Sequence, residues 1–377
     1  MKRIGLIGVT GYGAHHLELL LPQADAGALE LAAAVVINPE QAGMALAELR
    51  RRNVAVYPTT AEMYEAEAGK LDLAVIPAGI SWHCPLTLEA LSHGVGALVE
   101  KPAAGSVADV ERMKEAERKA GLPVCVGFQH IYGEDVQELK RLLLSGRLGR
   151  VRRASVQGIW PRGDEYYARN AWAGRRLAKD GAFVRDSPAN NAMAHYLNLV
   201  LFLCGDSFGE SAIPEAVEGE CLRCRPEIEM FDTCVFQARL QGGTPLMVCL
   251  SHTGAQAVQP EIRVVTEYGE VFWKAQGEWR ATLATGETLV SGMTGQPQEK
   301  MYRDVLARLD NPAQFTCTLG IAGAHAGIIE MLDRELPIRQ VRRQVGRKDA
   351  CYIIPGLEEI FAECARTGRL PAAGTLE

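Results

Sequence analysis

The chain has 377 residues and a net charge of -6, with a pI near 5.9, so it offers no broad basic surface for nucleic acid. Its 47% hydrophobic and 23% charged content excludes a disordered polymer, and its length exceeds what one core usually serves, so two domains are expected. Lys2 and Arg3 lead straight into an apolar strand and no apolar run reaches membrane-spanning length, so the expected setting is a cytoplasmic enzyme with neither a membrane nor a nucleic-acid partner.

In chain order, residues 1–20 read as a short strand (Ile4, Leu6, Ile7), then the turn Gly8-Val9-Thr10-Gly11-Tyr12-Gly13, then a helix over 15–21. The turn is G-x-x-G-x-G and also fits G-x-G-x-x-G with Thr10 at the second position. Glycines serve such a turn because it is tight, because backbone must approach a pyrophosphate, and because helix N-terminal amides bind the anion. Apolar, β-branched runs follow at 31–38, 54–57, 71–77, 95–99 and 123–128, with helical segments such as 39–52 and 107–120 between them. Strands alternating with helices predict a doubly wound parallel sheet, whose strand carboxyl ends form the ligand crevice. The run Ala97-Leu98-Val99-Glu100-Lys101-Pro102 ends with a Lys where a strand delivers a reactive side chain.

A domain change is expected after residue 127, giving domains 1–127 and 128–377. A helix over 135–145 precedes strands at 151–159, 221–223, 233–240, 246–252, 262–266 and 271–274, the pattern of an antiparallel sheet covered on one side. A C-terminal helix over 356–367 is expected to pack back on the body. The ten cysteines are expected to be reduced and buried. Cys221 and Cys224 form the one C-x-x-C; on a strand they point to opposite faces, and no second pair completes a ligand set, so no metal is expected.

The glycine turn, Glu100-Lys101-Pro102 and Asn191-x-x-x-His195, in that order over most of the chain, resemble the glucose-fructose oxidoreductase, inositol dehydrogenase and rhizopine-catabolism (Gfo/Idh/MocA) family. The resemblance implies an α/β Rossmann domain that binds NAD or NADP. It further implies an α+β domain whose large, open, mostly antiparallel sheet carries the substrate site, with its open face joining a homo-oligomer, dimer or tetramer. It gives Lys101 the proton-transfer role and a cis Lys101-Pro102 peptide. The cofactor is expected on Gly8, Thr10, Gly11, Tyr12, Gly13, Asn38, Ala78, Gly79, His83, Glu100, Lys101 and Gln129. His83 also has a purely structural reading, capping the helix that follows it. No acid closes Val35-Val36-Ile37-Asn38 and no cation follows until Arg50, so NAD and NADP both stay open.

A free Lys, with a pKa near about 10.4, is a poor base, but burial beside an oxidised nicotinamide would lower it enough to take an alcohol proton. His195 and Asn191, one helical turn apart, would share a face, His195 as relay and Asn191 orienting it or the substrate. The family pattern has Asp where Asn191 stands. Asp186 either supplies that carboxylate from a longer loop or caps the helix after Ser187-Pro188. Arg162, Tyr167, Arg169, Asn170 and Trp172 lie in a stretch dense in aromatics and guanidinium groups, suited to a sugar, a polyol or a carboxylate, or equally to a dimer interface. With His195 they are the substrate candidates. The expected function is NAD(P)-dependent dehydrogenation of a sugar, polyol or related hydroxy compound. The alternatives are a redox-neutral NAD-dependent glycosidase and a non-catalytic sugar or nucleotide sensor.

Overall fold

A computed structural model describes residues 1–342, 345–372 and 374–376. The chain divides into two compact units, the first made of Met1–Ala104, Ala108–Tyr132 and Pro297–Leu319, the second of Gly105–Val107, Gly133–Gln296 and Gly320–Glu377.

In the first unit the strands are β1 (Lys2–Ile7), β2 (Leu29–Val35), β3 (Ala55–Tyr57), β4 (Leu73–Ile76), β5 (Gly96–Val99) and β6 (Val124–Val126). All pair in parallel, in the order β3-β2-β1-β4-β5-β6, the doubly wound arrangement with its strand-order reversal beside β1. The inner strands β4 and β5 are buried at every residue, as a sheet covered on both faces requires. The intervening helices are α1 (Tyr12–Asp25), α2 (Gly43–Arg51), α3 (Thr60–Ala66), α4 (Ile80–Ser92) and α5 (Val107–Ala120). Gly13, His16, Leu17 and Leu20 form the buried stripe of α1, at the i, i+3, i+4, i+7 spacing of one helix face. That helix runs past its expected end, through the exposed Pro22 to Asp25. The helix expected over 39–52 instead opens as a separate 3-10 turn, Pro39–Gln41, before α2.

In the second unit, α6 (Glu134–Leu144), α7 (Asp164–Ala168) and α8 (Ala194–Leu203) accompany a nine-stranded sheet. Its strands are β7 (Val151–Ile159), β8 (Pro214–Arg223), β9 (Thr233–Leu240), β10 (Pro245–Ser251), β11 (Val258–Thr266), β12 (Gly269–Lys274), β13 (Glu278–Leu283), β14 (Thr288–Met293) and β15 (Ile338–Gln340), after α9 (Gln298–Arg308) and α10 (Leu319–Glu335) have intervened in the chain. The order is β14-β13-β12-β11-β7-β10-β9-β8-β15, antiparallel except where β7 meets β10 and β8 meets β15. A hairpin β16 (Gly346–Lys348) and β17 (Cys351–Ile353) precedes α11 (Leu357–Thr367).

The sheet is not covered on one side only throughout. Strand β10 is buried at all but its first residue, and Leu357, Phe361 and Cys364 of α11 share one core with Val235, Met247 and Cys249. Strand β11 does alternate, with one face half-exposed. Strands β13 and β14 escape sequence reading because their outer faces are polar, and α10 does because Gly320, Gly323 and Gly327 mask it. Its buried Ile321, His325, Ile328 and Leu332 nevertheless keep helical spacing.

The domain boundary also needs correction: a single cut at 127/128 leaves Pro297–Leu319 with the wrong body. Tyr302 and Val305 of α9 are fully buried in the first unit, and Val126 N–H donates to Cys317 O at 2.8 Å, so buried side chains and a backbone bond recruit this late segment. Among the described residues no helix is long and apolar enough to cross a membrane.

Candidate active site

In the first unit the turn Gly8–Gly13 carries β1 into α1. Gly8 (φ 98°) and Gly11 (φ 55°) adopt the left-handed backbone that glycine tolerates. At Gly13 the constraint is space: an added Cβ would collide with the Gly8 carbonyl oxygen. This leaves a cradle of bare backbone at a helix N-terminus, which fits a dinucleotide pyrophosphate. Asn38 is exposed just beyond β2, its carbonyl accepting Gln41 N–H at 3.0 Å. Ala78 and Gly79 follow β4, with Gly79 at the N-cap of α4, and Gln129 lies in the 3-10 turn after β6.

Lys101 is half-buried directly beyond β5, and its peptide to Pro102 is cis. Glu100 is 6% exposed and is engaged inside the unit through both carboxylate oxygens. Oε2 accepts Lys101 N–H at 3.0 Å and Oε1 faces His16 Nε2 at 3.0 Å. His16 Nδ1 in turn lies 2.5 Å from the Tyr302 hydroxyl. Burial pushes the Glu100 carboxyl up, but the hydrogen bond and charge of His16 and the charge of Lys101 outweigh it, so the group sits below its ordinary value. Burial raises the Tyr302 phenol well above its ordinary value. His16 Nε2–H donates to the Glu100 carboxylate, and Nδ1 is hydrogen-bonded to the Tyr302 hydroxyl. An added Cβ at Gly127 would strike that same carboxylate.

His83, expected to serve the cofactor, is 1% exposed, with Nδ1 2.7 Å from Pro102 O and Nε2 3.0 Å from Ala78 O. Burial lowers its pKa against the two carbonyl contacts, which favour the protonated ring, and the ring bridges the end of β4 and the Lys101-Pro102 corner.

In the second unit the parallel register of β7 with β10 sets Ile159 against Ser251, and the pairing continues as Trp160 N–H to Ser251 O (2.9 Å) and Arg162 N–H to His252 O (3.0 Å). Around this corner the Arg162 guanidinium lies 5.2 Å from the Tyr166 ring and 5.5 Å from Trp160, while Arg169 lies 3.7 Å from Tyr166 and 5.2 Å from Trp172. Tyr167 Oη meets His252 Nδ1 at 2.9 Å. Burial first, then the charges of Arg162, Arg169 and Arg225, hold the His252 imidazole well below its ordinary pKa. The Asn170 side-chain oxygen accepts Trp172 N–H at 3.1 Å and so fixes the loop.

Asp186, 2% exposed, accepts Gly174 N–H (2.6 Å), Asn191 Nδ2 (2.7 Å) and Arg169 Nη2 (3.3 Å). It does not cap the turn after Ser187-Pro188; Ser187 Oγ does, accepting Asn190 N–H at 3.3 Å. The preceding Arg185 has φ 44°, disfavoured for a residue with a side chain, and its buried guanidinium holds Gly105 O at 2.5 Å and Asp333 at 2.9 Å. Asn191 lies in the turn before α8, not inside a helix with His195 as its spacing suggests. His195 is the second residue of α8, half-buried, its ring 6.5 Å from that of Tyr196.

Residues 2–128 match the sequence model of the GFO/IDH/MocA oxidoreductase family with an NAD-binding Rossmann fold, and residues 136–272 match the model of the GFO/IDH/MocA C-terminal domain. The chain belongs to the Gfo/Idh/MocA family. It is 28% identical over 249 residues to a myo-inositol dehydrogenase of Streptomyces leeuwenhoekii, covering 63% of this chain and 67% of that one. Against inositol 2-dehydrogenase of Burkholderia multivorans identity is 26% over 303 residues, covering 72% and 81%. The WlbA dehydrogenase of Bordetella pertussis, solved with NADH and UDP-GlcNAcA, shares the fold at a TM-score of 0.71 and 21% identity over 88% of this chain and 95% of that one.

This Gfo/Idh/MocA member is thus an NAD-binding oxidoreductase with an α/β Rossmann domain and a large, mostly antiparallel second sheet. Sequence reasoning missed His16, Tyr302, Arg225 and His252. The available signal was slight: His252 is the last residue of a predicted strand, and His16 falls on the apolar stripe of α1.

Beneath His252 lies Asp232, 1% exposed, its Oδ2 accepting Cys224 N–H at 2.9 Å and Arg225 N–H at 3.1 Å. Burial outweighs these bonds and raises the carboxyl from 3.8 to about 6. The folded state therefore holds its proton more tightly than the unfolded chain. The contribution is fully present below about pH 4 and is lost as pH rises through about 6. Asp232→Asn is expected to be insensitive to this window, so the gap between the variant's and the wild type's stability shifts by up to about 3 kcal/mol between pH 4 and 6. Denaturant titrations at stepped pH check it; a constant gap would show that Asp232 is already ionised throughout.

Proposed function

We propose that this family member dehydrogenates a sugar, polyol or related hydroxy compound, with Lys101 as the acid/base. The supporting observation is the corner after β5. Glu100, held by His16, accepts the backbone N–H of Lys101 and fixes the residue at the carboxyl end of a strand in the same unit as the glycine turn. The names of the inositol dehydrogenase relatives support the substrate class. An oxidised nicotinamide dinucleotide held at the Gly8–Gly13 turn would supply hydride acceptance for oxidation at the carbinol carbon. In the first unit Lys101 Nζ is the proposed acceptor of the hydroxyl proton; in the second unit His195, Arg162, Tyr167, Arg169, Asn170 and Trp172 are the proposed substrate residues. The half-exposed face of β11 and its neighbours is the proposed homo-oligomer contact, and light scattering tests it. A panel of sugars and polyols, followed by NADH and NADPH absorbance with the purified protein, tests the reaction. A panel without turnover on either cofactor would overturn it.

Asp186 acts in this reading by orienting Asn191 and balancing Arg169. Asp186→Asn is expected to lower turnover roughly tenfold or more beyond Asn191→Ala, because only the carboxylate supplies charge to the site. Steady-state kinetics alongside thermal melts check it. Equal turnover of the two folded variants, with a difference confined to Tm, would make Asp186 purely architectural.

A further inference from the structure

The guanidinium groups around Tyr166 and Tyr167 are not equally balanced. Arg169 meets Asp186 at 3.3 Å, and Arg225 meets Asp164 at 2.7 Å and Glu227 at 2.9 Å. Among the described residues, no carboxylate lies within ion-pair distance of Arg162, whose Nε is buried and without a hydrogen-bond partner. Next to it His252, 3% exposed, also has a buried ring nitrogen, Nε2, without a partner. The two residues are joined through their backbones at 3.0 Å, and the Tyr166 ring stands 5.2 Å from each side chain.

Burial keeps the Tyr167 phenol protonated and the His252 imidazole neutral. Tyr167 Oη and His252 Nδ1 are hydrogen-bonded at 2.9 Å, and the other ring nitrogen, Nε2, stays without a partner. A guanidinium nitrogen and a ring nitrogen, both buried and without a hydrogen-bond partner, stand side by side, and such atoms are costly to leave unmatched.

We propose that Arg162 and His252 bind the carboxylate of an acidic substrate, a sugar acid or other polyhydroxy acid. This rests on the dehydrogenase reading and narrows its substrate class. The single unbalanced positive charge matches a carboxylate rather than a dianionic phosphate, and the planar guanidinium offers the paired donors a carboxylate accepts. Trp160 and Tyr166 flank it with flat apolar faces that suit a sugar ring.

The test uses the whole protein saturated with NADH. Calorimetry and thermal shift compare glucuronate, galacturonate and gluconate with their neutral counterparts and with glucose 6-phosphate, in the wild type, Arg162→Met and Arg162→Lys. At least one acid is expected to bind the wild type roughly 100-fold more tightly than its neutral counterpart. Arg162→Met should reduce that ratio to a few-fold while NADH affinity holds, and Arg162→Lys should restore part of it. His252→Gln should lower the ratio as well. Equal binding of acids and neutral compounds, no acid binding at millimolar concentration, a preference for the phosphate, or an unchanged ratio in Arg162→Met would each overturn the proposal. Acid-selective binding without turnover on NAD or NADP would sink the dehydrogenase reading alone, whereas turnover of neutral polyols without acid preference would sink this one alone.

Discussion

Lys101→Ala is expected to lower kcat roughly 100- to 10,000-fold, the usual worth of a positioned acid/base, with cofactor affinity and Tm near those of the wild type. The separation follows from how the residue is held. The backbone N–H of Lys101 supplies the bond to Glu100, so truncating the side chain leaves the Tyr302, His16 and Glu100 chain intact. Steady-state rates with the substrate found by the panel, together with NADH titration, decide the matter. A variant within a few-fold of wild-type kcat would assign the proton to another group.

Gly13→Val is expected to weaken NADH binding by roughly two orders of magnitude, because the added side chain meets the Gly8 carbonyl oxygen and forces the backbone of the cradle outward. Such crowding costs about 1–3 kcal/mol of stability, which a domain of this size should survive. A melt therefore establishes that the variant is folded before fluorescence titration with NADH is read. Undiminished affinity would move the dinucleotide away from this turn.

The amino-terminal domain was legible because its signals are local. A strand, a glycine turn and an apolar helix stripe occur within about twenty-five residues of one another, and turn chemistry and periodicity act over such spans. The predicted segments 107–120, 151–159 and 233–240 coincide with α5, β7 and β9. Lys101 and the glycines were visible for the same reason, as contiguous motifs at the ends of readable strands.

The groups around those motifs were settled by pairings that leave no local trace. His16 meets a tyrosine 286 positions away because α9 packs back on the first unit. His252 reaches Arg162 only because β7 and β10 pair in parallel, and a parallel partner cannot be read from either strand's own alternation. Likewise Asp186 holds Asn191 through a loop whose left-handed Arg185 is stabilised by buried contacts to Gly105 and Asp333. The chain's local chemistry thus determined the glycine turn, the parallel strands and the place of Lys101 at a strand end. Which charged groups stand unbalanced beside one another was decided by the tertiary fold, because burial and strand pairing, not sequence neighbourhood, place Arg162, His252 and the tyrosines at one corner.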